Sequence, residues 1–427
     1  MSSKRILNVD VVVIGGGPAG STAAAHLAGR GRSVLVLEKD KFPRYQIGES
    51  LLPYCYFPLE RLGVLERMKS SRFQKKYAVQ FVTTEGKASS PFHFSRHFDH
   101  EASMTWQVER STFDHMLLKN AREQGADVRQ ETQVMGLIRL DGKVNGVVAN
   151  PRANGGESFE VRAPMTIDAS GRQALAITRN HWRRWEPGLN KTAIWTYFKG
   201  AVRDKGKDEG TTTIAYLPEK GWFWYIPLPD DVVSVGVVAE KDYLFGQTNS
   251  LSEIFCREAA KNPWVEERLA PGRQFGKYYV TKEYSYASEH CAEDGLVLVG
   301  DALLFLDPVF ASGVYFALRG GELAADAVDR ALAENDVAAE RFTEYSEQML
   351  REVEPMRQLV YAFYDRMFSV KTLVQNHPDV MGDWTDVLIG NLDKDFSKLF
   401  AAIGEQASLP PHLSSGRPLA SQKSAIE

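Results

Sequence analysis

The sequence predicts an α/β fold: a doubly wound domain carrying an inserted antiparallel β-sheet, followed by a helical C-terminal region. Three observations lead there. The opening reads strand, glycine turn, helix, strand. Strand-length apolar runs that end in small or acidic residues recur at 167-IDASGR-172 and 297-VLVGD-301. Between and before these runs lie aromatic-rich segments with period-two alternation, the pattern of half-buried antiparallel strands.

Residues 9–14 (VDVVVI) are β-branched and apolar, as a strand requires. Lys4 and Arg5 ahead of them give a faint signal-peptide look, but Asp10 interrupts the run and a glycine turn follows at once. The turn is 15-GGGPAG-20, and the alanine-rich stretch 18–30 is helical. The segment 33-SVLVLE-38 has the continuous apolar run of a buried parallel strand. Helical spacing of Leu51, Leu59, Leu62, Leu65 and Met68 predicts a helix within 50–69, and 76–106 predicts antiparallel strands. A helix over 111–125 has Ser111 or Thr112 to start it and Gly125 to end it. Residues 126–168 read as β with a hairpin at Asp141-Gly142, and 191–240 as several strands broken at 203–210 and 229–231. The strand 295–299 leads through 300-GD-301 to a helix from about Ser312 to Leu332, and 340–405 is mostly helical. The tail 407–427, rich in Pro, Ser and Gly, has the composition of a disordered segment. The partition that follows is a discontinuous first domain (1–75, 105–190 and 289–345), a β-sheet domain for substrate (76–104 and 191–288) and a helical region (346–406).

At 427 residues the chain is longer than one hydrophobic core usually supports. A formal net charge of −4 gives no electrostatic case for nucleic acid, where a basic surface would be expected. The apolar runs are strand-length, short of the roughly 18 residues of a transmembrane helix. Cys55, Cys256 and Cys291 are isolated, which suits reduced thiols in a cytoplasmic protein.

Gly15, Gly17 and Gly20 form G-x-G-x-x-G directly between a predicted strand and a predicted helix. Without Cβ atoms the backbone can turn tightly and approach a pyrophosphate, which then sits on the positive end of the helix. Glu38 closes the next strand about 20 residues on, where a carboxylate binds a ribose hydroxyl and disfavours a 2′-phosphate. The 167-IDASGR-172 segment on its own reads equally well as a plain strand exit. In 297-VLVGDALLFLDPVFASG-313, Asp301 and nearby amides would meet a ribityl chain and pyrophosphate, and a helix starting near Ser312 would stabilise negative charge in front of it.

Together these segments resemble the FAD domain of the para-hydroxybenzoate hydroxylase-like superfamily, from residue 8 to about residue 350. The resemblance implies a Rossmann-like FAD-binding domain, with Gly15, Gly17, Ala19, Gly20, Glu38, Arg44, Arg110 and Asp301 around the cofactor. That superfamily contains aromatic hydroxylases, geranylgeranyl reductase-like proteins and halogenases, and the shared 46-QIGESLLP-53 segment does not separate them.

Three further segments, 222-WFWYIP-227, 305-FLDPVFASG-313 and 73-FQKKYAVQF-81, resemble flavin-dependent halogenases, and 307-DPVFASGV-314 looks more like those acting on phenols and pyrroles. Residues 222-WFWYIP-227 fit W-x-W-x-I-P, and the family implies that Trp222 and Trp224 stand between flavin and substrate. The plain alternative is a strand with aromatics on one face. In 305-FLDPVFASG-313 the resemblance implies that Phe305 and Pro308 line the passage from the flavin and that the Ser312 and Gly313 amides hold the halide. Tryptophan halogenases carry a glutamate where this chain has Phe310, which argues against tryptophan as substrate. In 73-FQKKYAVQF-81 the resemblance implies one essential lysine, and spacing to Phe81 favours Lys76 over Lys75; the alternative is a solvated basic pair. An ammonium there would donate a hydrogen bond to hypohalous acid, or, desolvated, form a haloamine. His93, His97 and His100 mimic metal spacing, but on strands they would not share a face, so no metal is expected.

The resemblance thus implies FAD, reduced by a separate flavin reductase, with O2 and chloride or bromide as co-substrates. The substrate expected is a small electron-rich aromatic, free or tethered to a carrier protein. The rival readings are an FAD-dependent reductase or dehydrogenase, an aromatic hydroxylase taking NADPH directly, and a non-catalytic flavin carrier.

Overall fold

The computed structural model describes residues 5–152, 156–218, 221–282 and 285–419. Its organising element is a six-stranded sheet ordered 292–293, 296–298, 165–168, 11–14, 34–37, 127–129. All neighbours are parallel except the short edge strand 292–293. Val11, Val12, Val13, Val36 and Ile167 are fully buried, as the continuous apolar runs require of a sheet covered on both faces. The helices Pro18–Gly29, Arg110–Glu123 and Gly313–Ala333 pack together on one side. The strands end side by side: Gly15 N–H donates to Leu37 O at 2.9 Å, Ala169 N–H to Ile14 O at 3.0 Å, and Val299 N–H to Asp168 O at 3.0 Å. Gly15, Glu38, Ala169 and Gly300 therefore converge at the carboxyl edge, where doubly wound sheets bind ligands.

The expected opening strand 9–14 is realised as 11–14, and a separate short strand precedes it. Ile6–Asn8 pairs with Phe159–Arg162 in a four-stranded sheet, and Val11–Ile14 enters the parallel sheet. Asp10 divides them, its carboxylate accepting from the Ser33 N–H and hydroxyl. The expected helix within 50–69 is broken into a 3-10 turn Pro53–Cys55 and helices Tyr56–Arg61 and Leu65–Lys69. Gly63, at φ +70°, ends the first helix. In 76–106, only 78–82, 92–93 and 105–107, with Lys76 at the end of 74–76, are strands; 3-10 turns occupy 94–96 and 101–103, and the remainder is turn and irregular chain.

A seven-stranded sheet, ordered 273–282, 191–199, 232–240, 222–228, 212–216, 78–82, 92–93, stands over the carboxyl edge. Its middle strand Trp222–Leu228 divides its side chains by alternation. Trp222, Trp224 and Ile226 join the main core, and Phe223 and Tyr225 join a second core under the helices Leu251–Ala259 and Pro263–Leu269. Pro227 lies past the end of the 212–216 pairing, where its missing N–H breaks no ladder bond. Gly236 is in register with both Trp224 and Trp195. A Cβ there would fall 2.3 Å from the Trp224 ring, so the empty position is what lets the two indoles lie on the sheet.

The helix Thr343–Tyr364 returns across the molecule and delivers Phe363 and Tyr364 beside Trp222. The tail expected to be disordered is laid down in its described part, 407–419. Cys291 N–H donates to Arg417 O at 3.0 Å, Leu419 N–H to Ala292 O at 2.8 Å, and Ser346 hydroxyl to Gly416 O at 2.8 Å. Composition registers the entropy of such a tail but not the acceptors waiting for its backbone. Residues 420–427 lie outside the described residues.

Gly236→Ala should push the Trp224 ring off its position and lower stability by about 1–3 kcal/mol. A loss in the thermal midpoint together with a changed tryptophan emission spectrum is the expected result; an unchanged spectrum would show that the indoles do not depend on this vacancy.

Candidate active site

A cavity of about 390 Å³ opens along the carboxyl edge and runs under the seven-stranded sheet. Gly15, Gly17, Ala19, Glu38, Arg44, Arg110 and Asp301 line its first half, and Trp222, Trp224, Phe305, Pro308 and Gly313 its second. Gly20 and Ser312 lie behind the wall, and Lys76 stands beyond it.

The glycine turn is tight for reasons visible atom by atom. Gly15 has φ +101°, and a Cβ on it would come within 2.4 Å of Ala169 O; one on Gly20 would lie 2.0 Å from Gly15 O. Gly17 differs: a Cβ would meet only the Arg44 guanidinium at 3.5 Å and otherwise point into open cleft. Pro18 supplies the first helical residue, whose missing N–H costs nothing there. Glu38 accepts from Gly16 N–H at 2.7 Å and Asp40 N–H at 2.8 Å, so it steadies the turn as well as facing the cleft. Asp301 follows the strand 296–298, and burial pushes its carboxyl up to about 6, with Arg172 and Arg110 pulling the other way. A turn closed to side chains, a helix start and a carboxylate on each side fit the pyrophosphate and ribose of a dinucleotide.

In the 305–313 loop, Asp307 and Ala311 do more than their sequence suggested. Ala311 holds φ +55°, a left-handed position strained for a residue with a Cβ. Asp307 is buried, accepts from Val309 N–H at 3.0 Å and from Tyr364 hydroxyl at 2.8 Å, and burial pushes it up to about 6. Tyr364 in turn accepts from the Trp222 indole N–H at 2.9 Å. The first motif tryptophan is thus held by the C-terminal helix, whose tyrosine is anchored in turn on the loop carboxylate.

Lys76 and Lys75 face opposite ways. Lys75 is exposed, whereas Lys76 is 2% exposed, with Nζ 2.9 Å from Ser50 Oγ, 3.1 Å from Leu51 O and 5.6 Å from the Phe94 ring centre. Burial pulls its ammonium down to about 7, opposed by Cys55. Ser50 also lines the cavity and lies 3.0 Å from Thr212 Oγ1, which accepts from Gln107 Nε2 at 2.7 Å. One hydroxyl therefore separates Lys76 from the cleft.

Glu49 is the neighbour that sequence reasoning passed over, inside a segment set aside as undiagnostic. It is 4% exposed, lines the cleft, accepts from Tyr197 hydroxyl at 2.8 Å and is pushed up to about 7 by burial. The signal available was a carboxylate in the apolar setting of 46-QIGESLLP-53. The three histidines do not assemble. His93 pairs with Asp208, His97 with Asp386, and His100 accepts from Ala102 N–H. Among the described residues no cluster could hold a metal ion, and no helix is long and apolar enough to cross a membrane.

A doubly wound sheet with this glycine turn, capped by an antiparallel sheet over a shared cleft, defines an FAD-dependent oxidoreductase of the two-sheet flavoprotein class. Residues 10–102 and 82–370 match the family model described as tryptophan halogenase. A 1H-pyrrole-2-carbonyl-(peptidyl-carrier protein) chlorinase from Pseudomonas fluorescens is 30% identical over 390 residues, 86% of each chain. The corresponding brominase from Pseudoalteromonas luteoviolacea is 34% identical over 330 residues, 77% of this chain and 79% of its own. The solved flavin-dependent brominase Bmp2 superposes with a TM-score of 0.84 at 29% identity, over 93% of this chain and 98% of that one. The chain belongs to this family and is a flavin-dependent halogenase. Membership sets it apart from the geranylgeranyl reductase-like and aromatic hydroxylase branches of the superfamily.

Gly17→Val should fold and lose FAD, because its branches project into the cleft rather than into protein; flavin content after purification measures this, and full occupancy would refute the cradle. Lys76→Met should raise the thermal midpoint at neutral pH and below. The folded value near 7 lies under the ordinary 10.5, so the folded state binds fewer protons between them and wild-type stability climbs with pH across that window. The variant's advantage should therefore be full below about pH 7 and fade as pH rises toward 10.5, a trend read from melts at a series of pH values.

Proposed function

We propose that this halogenase modifies a pyrrole- or phenol-like ring, presented on a carrier protein, with Lys76 delivering the oxidised halogen. Bound FAD, once reduced by a separate flavin reductase, supplies the activation of O2 that oxidises chloride or bromide. The chain's own residues do the rest. The loop amides around Ser312 and Gly313, at the start of a 21-residue helix, favour an anion beside the cleft. Trp222 and Trp224 make a wall that excludes the ring from the flavin while the smaller hypohalous acid passes.

The observation that carries the reading is the burial of Lys76 one hydroxyl away from the cleft. In a dry site an ammonium is a strong donor to the oxygen of hypohalous acid, leaving the halogen electrophilic toward the ring. Near neutrality a fraction of this lysine is the free amine, which supports the haloamine route equally. Phe310 in place of a loop glutamate favours pyrroles and phenols over tryptophan. The carrier-bound form is favoured by the two pyrrolyl-carrier halogenases among its relatives. Three cysteines without disulfides suit a reducing, cytoplasmic setting.

Lys76→Ala should cut halogenated product by a hundredfold or more, on the order expected from losing one charge-assisted contact in a dry site, with FAD binding and reoxidation by O2 nearly intact. Lys75→Ala should change little. The assay is mass spectrometry of products formed with reduced FAD, O2 and bromide or chloride, on free pyrroles and phenols beside the same rings thioester-linked to a carrier protein. Wild-type turnover in Lys76→Ala would remove the lysine from the mechanism, and better turnover of free than of tethered rings would overturn the carrier reading.

A further inference from the structure

Glu49 is the inner end of a hydrogen-bonded file that leads out of the cleft. Its Oε1 accepts from the Tyr197 hydroxyl at 2.8 Å. The Tyr197 and Tyr45 hydroxyl oxygens are 3.0 Å apart, and Tyr45 accepts from the Trp195 indole N–H at 2.6 Å. Tyr45 is 46% exposed. An indole nitrogen only donates, so Tyr45 spends a lone pair on Trp195 and keeps its own proton for Tyr197, which gives its proton to Glu49. Both phenol protons point inward.

The file is also held still. Tyr45 stacks on Tyr279 with ring centres 4.5 Å apart, and Tyr279 stacks on Trp195 at 5.4 Å. At the inner end, Glu49 Oε2 is buried with no hydrogen-bond partner among the described residues. The Ser234 hydroxyl, which also takes the Trp224 indole N–H at 3.2 Å, is the side-chain donor near this carboxyl, and a buried carboxylate oxygen without a close hydrogen bond is costly unless something in the cleft uses it.

The reaction consumes protons in that cleft. Reoxidation without halide is FADH− + O2 + H+ → FAD + H2O2, and halogenation of a ring ArH is FADH− + O2 + X− + ArH + 2H+ → FAD + ArX + 2H2O. Each turnover draws protons to a place walled by Trp222, Trp224, Ile214 and Ile226.

We propose that Tyr45, Tyr197 and Glu49 form a proton-conducting file from solvent to the flavin cleft, with Glu49 as the inner donor. The carboxyl takes a proton on Oε1 as the Tyr197 O–H bond breaks and releases one from Oε2 to the oxygen being reduced. Tyr197 is refilled from Tyr45, and Tyr45 from water; no electrons move through the file. The shift is concerted, because burial raises the pKa of both phenols well above the ordinary value, leaving them weaker acids than usual, and no phenolate persists. Glu49, raised by burial and facing Ser234, Tyr197, Arg110 and Glu109, sits near neutrality and so can both hold and release a proton. Only the second proton rests on the halogenation reading; the first belongs to any reoxidation by O2.

The test is stopped-flow reoxidation of protein-bound reduced FAD by O2 without halide, with proton uptake followed by a pH-indicator dye. Tyr197→Phe keeps the ring and removes the link. It and Glu49→Gln should each slow proton uptake about tenfold or more, with FAD affinity unchanged. The double variant should be no slower than the worse single one, since both interrupt one series path. Tyr45→Phe, which does not line the cleft, should slow uptake as well and carries the test if Tyr197→Phe loses flavin. Infrared titration of the flavin-free protein should show a carboxyl band near neutral pH that is missing in Glu49→Gln. Wild-type uptake rates in Tyr197→Phe with FAD bound, or in Tyr45→Phe, would overturn the file. Slowed uptake in a protein that makes no halogenated product would instead retain the file and remove the halogenation reading.

Discussion

A single buried guanidinium holds the two halves of this site together. Arg110 donates from Nε to Asp114 Oδ1 at 2.7 Å and from Nη2 to Asp114 Oδ2 at 3.0 Å, a bidentate pair one helical turn apart. Its Nη1 donates to Ile47 O at 2.6 Å and reaches Gly48 O at 3.3 Å. Those two carbonyls open the segment that carries Glu49 toward the flavin cleft and Ser50 toward Lys76. Gly48 has φ +103°, and a Cβ there would fall 2.8 Å from Nη1, so the segment can turn under the guanidinium only as glycine. Arg44 shares Asp114 from the cleft side at 3.0 Å. Removing one partner from such a buried pair costs about 3–5 kcal/mol, and here it would also free the backbone on which both chemical groups stand.

The other constraint is dryness. Trp222, Trp224 and Trp195 cover the cleft because alternation on the strand points the first two inward and because Gly236 leaves room beneath the rings. The same exclusion of water pulls Lys76 down and pushes Glu49 up toward neutrality. Two groups of opposite ordinary acidity thus meet in the same range, for one reason, on adjacent sides of one segment. A site that takes up protons and handles an electrophile profits from both.

The C-terminal helix belongs to the site as much as to the scaffold. Tyr364 ties Trp222 to Asp307, and Phe363 packs edge-on against both Trp222 and Phe310. The loop with the strained Ala311 is therefore clamped between the sheet wall and a helix that begins more than thirty residues later.

Local features were legible in the chain itself. The glycine turn, Glu38, the strand carrying Trp222 and Trp224, the long helix after Ser312 and the inward-facing Lys76 all depend on periodicity, backbone permissiveness or short motifs, which neighbouring residues encode directly. The breaks at Asp10 and Gly63, the ordered tail at 407–419 and the scattering of the three histidines depend on partners far away in sequence. So do the sites' own links: Glu49 needs Tyr197, 148 residues away, and Asp307 needs Tyr364, 57 residues away. A carboxylate's acidity is set by what surrounds it in space, and a tail's order by acceptors on another strand. Those quantities exist only once the sheets have packed, and so the sequence alone determined the fold class and the glycine turn while the tertiary structure decided which carboxylates are buried and which hydroxyls they meet.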